Sequence, residues 1–516
     1  MLKLKRSKFT IKTLSFCLFT FSFLLLTACS NQNQSNQNTP QTFEVPPSEI
    51  DLLKPLEISS KPEDIALVAK IDDLIEKSEF ANARWGIFAV SLKDGRVLVG
   101  RDAQKLFNPA SVQKILTSIV ALDKLGADFR WKTSVVSENQ IADGTLDGDL
   151  ILYGQGAPDF TTDGAEGLAT QLQAKGLKRV KGNIVGDESY FKGDKLGDGW
   201  SWNDIQWYYG AEASALSINY NQVSIVLENG KPRVVPETDL VQISGDVNPP
   251  DEGETEAIGV NRELGGNKIY VWGKGKNLDS SVAMENPALW SAQILKEALR
   301  AKGITVEGAI RSVDWRTENR TNVENTSELA SIESQTLGEI VRRMNKESVN
   351  LYAELILRML GKKFGDEAPE ENPRKQKMRG DDSAGASVIK KWLTENGASF
   401  QQTESIRDGS GLSRLNFVTP ETLGRALIAA SRMRSAEAFR NSLPVAGTDG
   451  TLGGRLANVR GKIAAKTGTM AYVNSLAGFA QNERETLAFA ILCNNETRRA
   501  DSSVLIDAIA SSLIGN

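Results

Sequence analysis

The stretch Asn108-Pro-Ala-Ser-Val-Gln-Lys114 opens a segment with the apolar spacing of a helix. Its apolar side chains form one face and predict a helix over residues 110–125 that packs against a core; they are Val112, Ile115, Leu116, Ile119 and Val120. One helical turn brings Ser111 and Lys114 to the same side, so a neutral lysine amine could accept the proton of the serine hydroxyl. The stretch therefore predicts a packed helix with a serine nucleophile at its start.

Histidine is absent from all 516 residues, which limits the available chemistry. This absence excludes a Ser-His-Asp relay and histidine-ligated zinc sites, so a catalytic base has to be a lysine, a tyrosine or a carboxylate. We expect no metal and no cofactor. With 61 Lys and Arg against 65 Asp and Glu, the net charge of −4 gives no electrostatic reason to expect nucleic-acid binding.

The Ser-x-x-Lys pattern occurs twice more, at Ser189–Lys192 and Ser387–Lys390. Ser189 lies among short strand-like runs, where side chains three residues apart point to opposite faces of a strand. Ser387 lies in a helical segment whose adjacent lysines are typical of a solvated surface. Ser111 instead lies at the start of an amphipathic helix, where the helix dipole favours a developing alkoxide. The context therefore favours Ser111.

Two further motifs follow Ser111 along the chain. Ser348-Val-Asn350 lies between two segments of helical periodicity, and Lys466-Thr-Gly468 ends an alternating run that is typical of a strand. Ser-x-x-Lys, Ser-x-Asn and Lys-Thr-Gly in this order are the signature of penicillin-recognising acyl enzymes. No Ser-x-Asn motif follows Ser387, so the order of the motifs also excludes that serine.

Acylation of a serine gives the first two motifs distinct roles. Lys114 is the expected base for Ser111, and burial together with the nearby cation Lys466 would favour its neutral form. Ser348 would relay a proton to the leaving amine, and Asn350 would hold the substrate amide.

The strand that carries the Lys-Thr-Gly motif is expected to bind the substrate. Lys466 would supply positive charge for a substrate that ends in a carboxylate, and Thr467 would supply a hydroxyl. Gly468 would let the substrate approach the strand closely. The backbone N–H groups of Ser111 and Thr469 are the expected oxyanion hole.

Four motifs carry a resemblance to a known family: Asn108–Lys114, Gly199-Trp-Ser-Trp-Asn-Asp204, Asp408-Gly-Ser-Gly-Leu-Ser-Arg414 and Ala465–Thr469. Together they resemble the D-alanyl-D-alanine carboxypeptidase/endopeptidase family that includes penicillin-binding protein 4, from about Pro62 to the C-terminus. The resemblance implies that Asp204 reaches the site from an inserted region and that Arg414 helps bind the diamino acid end of the stem peptide. Taken without it, Asp204 could equally be a turn or capping residue.

The resemblance also implies an α/β fold, an α+β sandwich of the penicillin-binding and β-lactamase-like type. Its peptidase domain would be split by a β-rich insertion with a smaller domain nested inside it. We expect the peptidase domain at residues 62–135 and 326–516 and the insertion at 136–325. The alternation of helical and strand-like runs at the C-terminal end favours an antiparallel sheet packed by helices.

The N-terminus predicts an export signal over residues 1–28. A basic start precedes an apolar run of 13 residues, which is too short to span a membrane. Leu26-Thr-Ala-Cys29 resembles a bacterial lipobox, which implies cleavage before Cys29 and a lipid on its sulfur; a plain secretory signal is the alternative. Residues 29–61 would form a polar tether, and Ser30 favours the outer membrane if the host is Gram-negative.

These expectations predict a serine-type D-Ala-D-Ala carboxypeptidase of peptidoglycan in the periplasm or cell envelope. Ser111 would attack the penultimate D-alanine, and β-lactam antibiotics would acylate the same serine. If the leaving group were a cross-linking diamino acid, the same chemistry would be endopeptidase action. Two alternatives stay open: a β-lactamase, which has no need of the large insertion, and a non-catalytic cell-wall lipoprotein, which has no need of intact motifs. The oligomeric state stays open.

Overall fold

The computed structural model describes residues 43–365, 380–399, 403–497 and 501–515. The predicted signal peptide, Cys29 and the tether up to residue 42 lie outside these ranges. Among the helices within them, none has the length and apolar character needed to cross a membrane.

The helices of the described ranges fall before, within and after the predicted insertion. They are α1 (Pro62–Glu76), α2 (Gln113–Lys124), α3 (Thr162–Ala174), α4 (Pro287–Ala301), α5 (Leu337–Glu347), α6 (Asn350–Phe364), α7 (Asp381–Glu395), α8 (Pro420–Ala430), α9 (Ala436–Ser442) and α10 (Ser503–Ile514).

The strands of the described ranges also fall before, within and after the predicted insertion. They are β1 (Arg84–Ser91), β2 (Val97–Arg101), β3 (Lys132–Ser137), β4 (Ile141–Ala142), β5 (Thr145–Leu146), β6 (Leu150–Gly154), β7 (Arg179–Val180), β8 (Ile184–Asp187), β9 (Gln222–Glu228), β10 (Lys231–Val235), β11 (Gln242–Ser244), β12 (Val247–Asn248), β13 (Ala257–Arg262), β14 (Lys268–Lys274), β15 (Ser280–Ala283), β16 (Thr305–Val306), β17 (Ile310–Val313), β18 (Ser327–Glu333), β19 (Ile463–Met470), β20 (Val473–Gln481) and β21 (Thr486–Asn494).

An antiparallel sheet in the order β19-β20-β21-β1-β2 forms the centre of the peptidase part. Alternate side chains of β1 enter two different cores. Ile87 and Ala89 pack with α1 and α10, whereas Phe88 and Val90 pack into the core that contains α2, α6 and α8. The sheet is therefore covered by helices on both faces, and the predicted α/β sandwich is confirmed.

The predicted helix over 110–125 begins as a short 3₁₀ turn, Ala110–Val112, and continues as α2. Every residue from Gln113 to Leu122 is buried, polar ones included. The polar side of α2 packs against other parts of the protein, since Thr117 Oγ1 donates to Gly409 O at 2.7 Å and Asn345 Nδ2 donates to Ser118 Oγ at 2.9 Å. These bonds hold α2, and with it Ser111, in a fixed position.

The inserted region starts and ends on paired strands. The chain runs out along β3 and back along β18, which pair antiparallel in the sheet β17-β8-β6-β3-β18. Strands β6, β8 and β17 of that sheet are parallel, so they need crossover connections, and α3 and α4 lie in these connections. The inserted region therefore contains two α-helices in addition to the strands that the sequence predicted. Gly164 and Gly167 weaken the helical signal of α3.

Residues 222–283 form two further small sheets, which lie in chain order between β8 and α4. One has the order β10-β9-β15, and the other has the order β11-β14-β12 with β13 paired to β14. These sheets form a body inside the sequence of the larger insertion.

Residues 43–61, assigned above to the polar tether, pack against the peptidase part. Phe43 and Leu52 are buried in the larger core, and Ser48 Oγ donates to Leu92 O at 3.1 Å. Ile58 forms a parallel bridge with Val97 of β2. The folded body thus extends further toward the N-terminus than predicted, because this stretch carries apolar side chains that the core accepts.

Candidate active site

The turn before α2 positions Ser111. Ala110 is fully buried with a φ of 47°, a left-handed conformation that is strained for a residue with a side chain. Its N–H donates to Asn108 Oδ1 at 3.0 Å, and Asn494 Nδ2 of β21 donates to Asn108 O at 3.0 Å. The surrounding bonds therefore impose the strained turn and aim the following side chain, Ser111, outward.

Lys114 is completely buried one turn after Ser111. Its Nζ lies 2.9 Å from Ser111 Oγ and donates to Asn350 Oδ1 at 2.7 Å and to the Ser410 carbonyl at 2.8 Å. Burial lowers the pKa of Lys114 to about 7, although the negative charges of Asp408 and Glu354 oppose this change. A large fraction of Lys114 is therefore neutral near pH 7 and able to accept a proton.

Ser348 and Lys466 meet on the other side of the site. Ser348 ends α5 in a left-handed conformation with a φ of 60°, and Lys466 Nζ donates to its Oγ at 2.9 Å. Burial, with a smaller effect of the Lys114 charge, lowers the pKa of Lys466 well below its usual value. Lys466 is completely buried, and its Nζ contacts Ser348, which lines the cleft.

Strand β19 lies directly against the nucleophile turn at Gly468. A Cβ atom there would lie 2.3 Å from Ser475 Oγ and 2.8 Å from the Pro109 carbonyl, closer than folded proteins allow. On either side, Thr467 Oγ1 donates to Thr451 Oγ1 at 2.8 Å, and Thr469 Oγ1 donates to Asn474 Oδ1 at 2.8 Å. Because Gly468 has no side chain, β19 can lie in direct contact with the Pro109 turn.

A cleft of about 800 Å³ opens above these residues. Its walls contain side chains from two parts of the chain. The inserted region supplies Asp204 and Tyr209, and the peptidase part supplies Ser111, Ser348, Asn350, Arg414 and Thr469. Tyr209 OH donates to Asp204 Oδ1 at 3.3 Å, and Arg414 Nη1 donates to the Ala471 carbonyl at 3.3 Å. Six of the predicted site residues therefore line one cleft, and Lys114, Lys466, Thr467 and Gly468 are packed behind its wall.

Two buried carboxylates beside Lys114 were not predicted. Glu354 Oε1 accepts from the backbone N–H of Ser410 at 2.8 Å, and Asp408 Oδ1 accepts from that of Gly411 at 2.8 Å. Burial and the nearby Asp408 charge raise the pKa of Glu354 to about 7. The available signal was a single acid inside the apolar run of α6, which is rarely tolerated without a partner.

The two other Ser-x-x-Lys pairs lie elsewhere. Ser189 is in the turn after β8, where its N–H donates to Asp187 Oδ1 at 2.8 Å. Ser387 is exposed on α7, and its hydroxyl donates to the Ser383 carbonyl of the same helix at 3.0 Å. Neither serine lines the cleft that contains Ser111.

Known proteins match almost the whole described chain. Residues 67–513 match the D-Ala-D-Ala carboxypeptidase 3 (S13) family. A D-alanyl-D-alanine carboxypeptidase of Actinomadura sp. (strain R39) is 29% identical over 470 residues, which cover 85% of this chain and 83% of the relative. The D-alanyl-D-alanine carboxypeptidase DacB of Haemophilus influenzae is 27% identical over 442 residues, covering 82% and 88%.

A crystal structure has a similar fold over nearly its full length. Penicillin binding protein 4 (dacB) from Haemophilus influenzae matches with a TM-score of 0.72 at 26% sequence identity, covering 86% of this chain and 98% of that chain.

Proposed function

The chain belongs to the D-Ala-D-Ala carboxypeptidase 3 (S13) family, and from this premise we propose that Ser111 is its nucleophile and Lys114 its base. The protein is a serine-type D-Ala-D-Ala carboxypeptidase that acts on peptidoglycan peptides and binds β-lactams. The observation that supports the two assignments is the 2.9 Å separation of Lys114 Nζ and Ser111 Oγ in a buried site.

Acylation starts with proton transfer from Ser111 Oγ to neutral Lys114. The oxygen attacks the carbonyl carbon of the penultimate D-alanine, and the negative charge forms between the backbone N–H groups of Ser111 and Thr469. Collapse breaks the peptide C–N bond and releases the terminal D-alanine as an amine. Water then hydrolyses the ester and frees Ser111.

Ser348 donates the proton that the leaving amine needs. Its hydroxyl is 2.9 Å from Lys466 Nζ, so Lys466 can replace the proton that Ser348 gives up. Asn350 lines the cleft and binds the peptide, whereas Thr467 bonds to Thr451 behind the wall and Gly468 keeps β19 against the nucleophile. These roles use the lowered pKa of Lys466, because an amine that always holds its proton cannot relay one.

Asp204 and Arg414 bind the diamino acid of the stem peptide. They offer one negative and one positive group, which suits the amine and carboxylate of such a side chain, and they line the cleft that contains Ser111. In a cross-linked peptide the D-alanine carbonyl is joined to the side-chain amine of a second stem's diamino acid, so the same attack by Ser111 releases that second stem and is D,D-endopeptidase cleavage.

Covalent labelling tests the nucleophile. A fluorescent penicillin should label the purified protein, and peptide mapping should place the adduct on Ser111. Ser111→Ala should abolish labelling, whereas Ser189→Ala and Ser387→Ala, which alter the other two Ser-x-x-Lys pairs, should leave it unchanged. Labelling that survives Ser111→Ala, or rapid nitrocefin turnover without a lasting adduct, would contradict the proposal.

Digestion of cross-linked muropeptides tests the two activities. Mass spectrometry should show loss of the terminal D-alanine from pentapeptides and separation of cross-linked dimers into monomers. Loss of D-alanine with intact dimers would leave the protein a carboxypeptidase without endopeptidase action.

The substrate places the active site outside the cytoplasm. We further propose that the protein is a lipoprotein anchored through Cys29, because a lipobox-like sequence ends the export signal. Cells given an alkyne fatty acid should produce a labelled protein, and Cys29→Ala should remove the label. A secreted, unlabelled wild-type protein would contradict the anchor.

A further inference from the structure

Lys114 Nζ has two hydrogen-bond acceptors besides Ser111 Oγ. They are Asn350 Oδ1 at 2.7 Å and the Ser410 carbonyl at 2.8 Å. Both acceptors belong to the peptidase part of the chain. Each of them is held in place by a chain of contacts that ends in residues 200–209 of the inserted region.

The first chain of contacts fixes the amide of Asn350. Its Nδ2 donates to the backbone carbonyl of Tyr209 at 2.8 Å. A side-chain amide that donates on one side presents its oxygen on the other. The Tyr209 carbonyl therefore determines that Asn350 turns its oxygen, and not its N–H₂ group, toward Lys114.

The second chain of contacts fixes the carbonyl of Ser410. Trp200 Nε1 donates to Asp408 Oδ2 at 2.9 Å, and Asp408 is completely buried. The same carboxylate accepts from the N–H of Gly411 at 2.8 Å and from that of Ser413 at 2.6 Å. Asp408 thereby holds the tight turn that carries Ser410, and the indole of Trp200 holds Asp408.

We propose that Trp200 and Tyr209 of the inserted region position the catalytic base, with Trp200 acting through Asp408 and the Ser410 carbonyl on Lys114 and the Tyr209 carbonyl acting through Asn350. The inference rests on the proposed role of Lys114. It gives the insertion a part in the acylation step itself, in addition to the cleft wall that it supplies. Trp200 is a positioning residue, since it does not line the cleft in which the substrate binds.

Several charged groups lie close to Lys114. They are Asp408 and Glu354, with Arg358 next to Glu354, and Lys466 from β19. A shift of the Ser410 carbonyl removes one acceptor from the protonated amine. Because a hydrogen bond to the charged form stabilises that form, its loss lowers the pKa of Lys114.

Trp200→Phe tests the inference, because phenylalanine keeps an aromatic ring and removes the N–H donor. Acylation by a fluorescent penicillin is measured as a saturable rate over pH 5 to 9. We expect the maximal rate to fall by about tenfold or more, with little change in half-saturating concentration, since a displaced catalytic group costs rate. The acidic limb of the profile should move to lower pH. Trp202→Phe is the matched control, since Trp202 is 73% exposed in the same segment.

Unchanged rate and pH profile in Trp200→Phe, or a change in half-saturating concentration alone, would overturn the inference. If Trp200→Phe does not fold, as judged by its thermal unfolding, benzothienylalanine at position 200 replaces it. This residue has the shape of tryptophan with sulfur in place of the N–H, and the same loss of rate is expected. Wild-type protein that is not acylated would instead contradict the proposed function.

Discussion

Single residues of the site combine burial with charge. Lys114, Lys466, Glu354 and Asp408 are all fully buried, so each charge depends on its neighbours rather than on water. Burial brings the pKa of Lys114 down to about 7 and raises that of Glu354 to about 7. The site therefore exchanges protons near neutral pH, although the chain contains no histidine.

The acylation rate should depend on pH through Lys114. The base has to be neutral, and a lysine is neutral above its pKa, so the rate should rise with pH through about 7. Below that value the rate should fall by about tenfold per pH unit. Stopped-flow acylation with a fluorescent penicillin measures the profile. A rate that is flat from pH 5 to 8 would contradict this role of Lys114.

Lys114→Arg provides the companion test. Arginine keeps a positive charge but does not lose its proton at these pH values, so acylation should fall by about 10²-fold or more at every pH. The control is Lys390→Arg, the equivalent change in the Ser387 pair on α7, which does not line the cleft and should acylate at the wild-type rate.

Ser348→Ala should slow peptide cleavage. The variant loses the hydroxyl that we propose as the proton donor to the leaving amine, and removal of a general acid costs about 10²–10⁴-fold in turnover. Release of D-alanine from a pentapeptide measures the effect. Ser387→Ala, on the exposed face of α7, should behave as wild type. Wild-type turnover in Ser348→Ala would show that another group donates the proton to the leaving amine.

At the scale of elements, three structures meet at the nucleophile: the turn before α2, the junction of α5 and α6, and β19. The Ser475 hydroxyl of β20 donates to Pro109 O at 2.6 Å and ties the turn to the sheet. The left-handed backbone conformations of Ala110 and Ser348 orient the side chains of Ser111 and of Ser348 itself. Strain at these positions persists because the packed elements around them leave no other conformation.

Gly468→Ala should separate β19 from the Pro109 turn. The new Cβ would meet Ser475 Oγ and the Pro109 carbonyl, and since the carbonyl is backbone, relief requires movement of the strand or the turn. Overpacking of this kind destabilises by about 1–3 kcal/mol. Denaturant unfolding measures the stability, and penicillin acylation should fall with it.

The control for this change is Gly454→Ala. A Cβ at Gly454 meets no atom within 4 Å, so stability and acylation should match the wild type. Equal effects of the two substitutions would show that β19 tolerates a side chain at this position.

On the scale of the whole molecule, the inserted region and the peptidase part share one cleft. Asp204 and Tyr209 come from the insertion, whereas Ser111, Ser348 and Arg414 come from the peptidase part. Because β3 and β18 pair, the insertion leaves and rejoins the peptidase part at neighbouring points. This arrangement lets the inserted region line the cleft without interrupting the central sheet.

Asp204→Asn and Arg414→Gln should change substrate choice more than chemistry. Each removes a charge from the outer cleft, so cleavage of stem peptides that contain a diamino acid should fall by about 10- to 150-fold, because loss of a charged hydrogen bond costs about 1.5–3 kcal/mol. Penicillin acylation should stay within a few-fold of wild type. Competition between diamino acid peptides and simple D-Ala-D-Ala peptides measures the preference.

Arg407→Gln is the control for Arg414→Gln. Arg407 lies on the same segment, its side chain donates to Ser405 Oγ at 3.1 Å, and it does not line the cleft. Equal loss in both arginine variants would indicate a general effect of charge rather than a binding site.

Much of the core could be predicted from periodicity alone. The helix that starts at Ser111 and the antiparallel sheet of the C-terminal part follow from local apolar spacing, which depends only on neighbouring residues. Helices α3 and α4 were missed because they lie among many short strands, and glycines dilute the pattern of α3. Residues 43–61 were assigned to the tether that begins with a polar stretch, whereas their apolar side chains, such as Phe43 and Leu52, enter the core.

By itself, the sequence determined the chemistry. The missing histidine and the ordered motifs point to a serine with a lysine base, because these properties follow from residue types and their spacing. Only the tertiary structure decided that Lys466 is buried behind Ser348, that Glu354 and Asp408 lie near Lys114, and that Trp200 bonds to Asp408. Burial and contacts between distant segments set the pKa values of Lys114, Glu354 and Lys466 and the orientations of the side chains around them. Both arise only when the folded chain excludes water from the site.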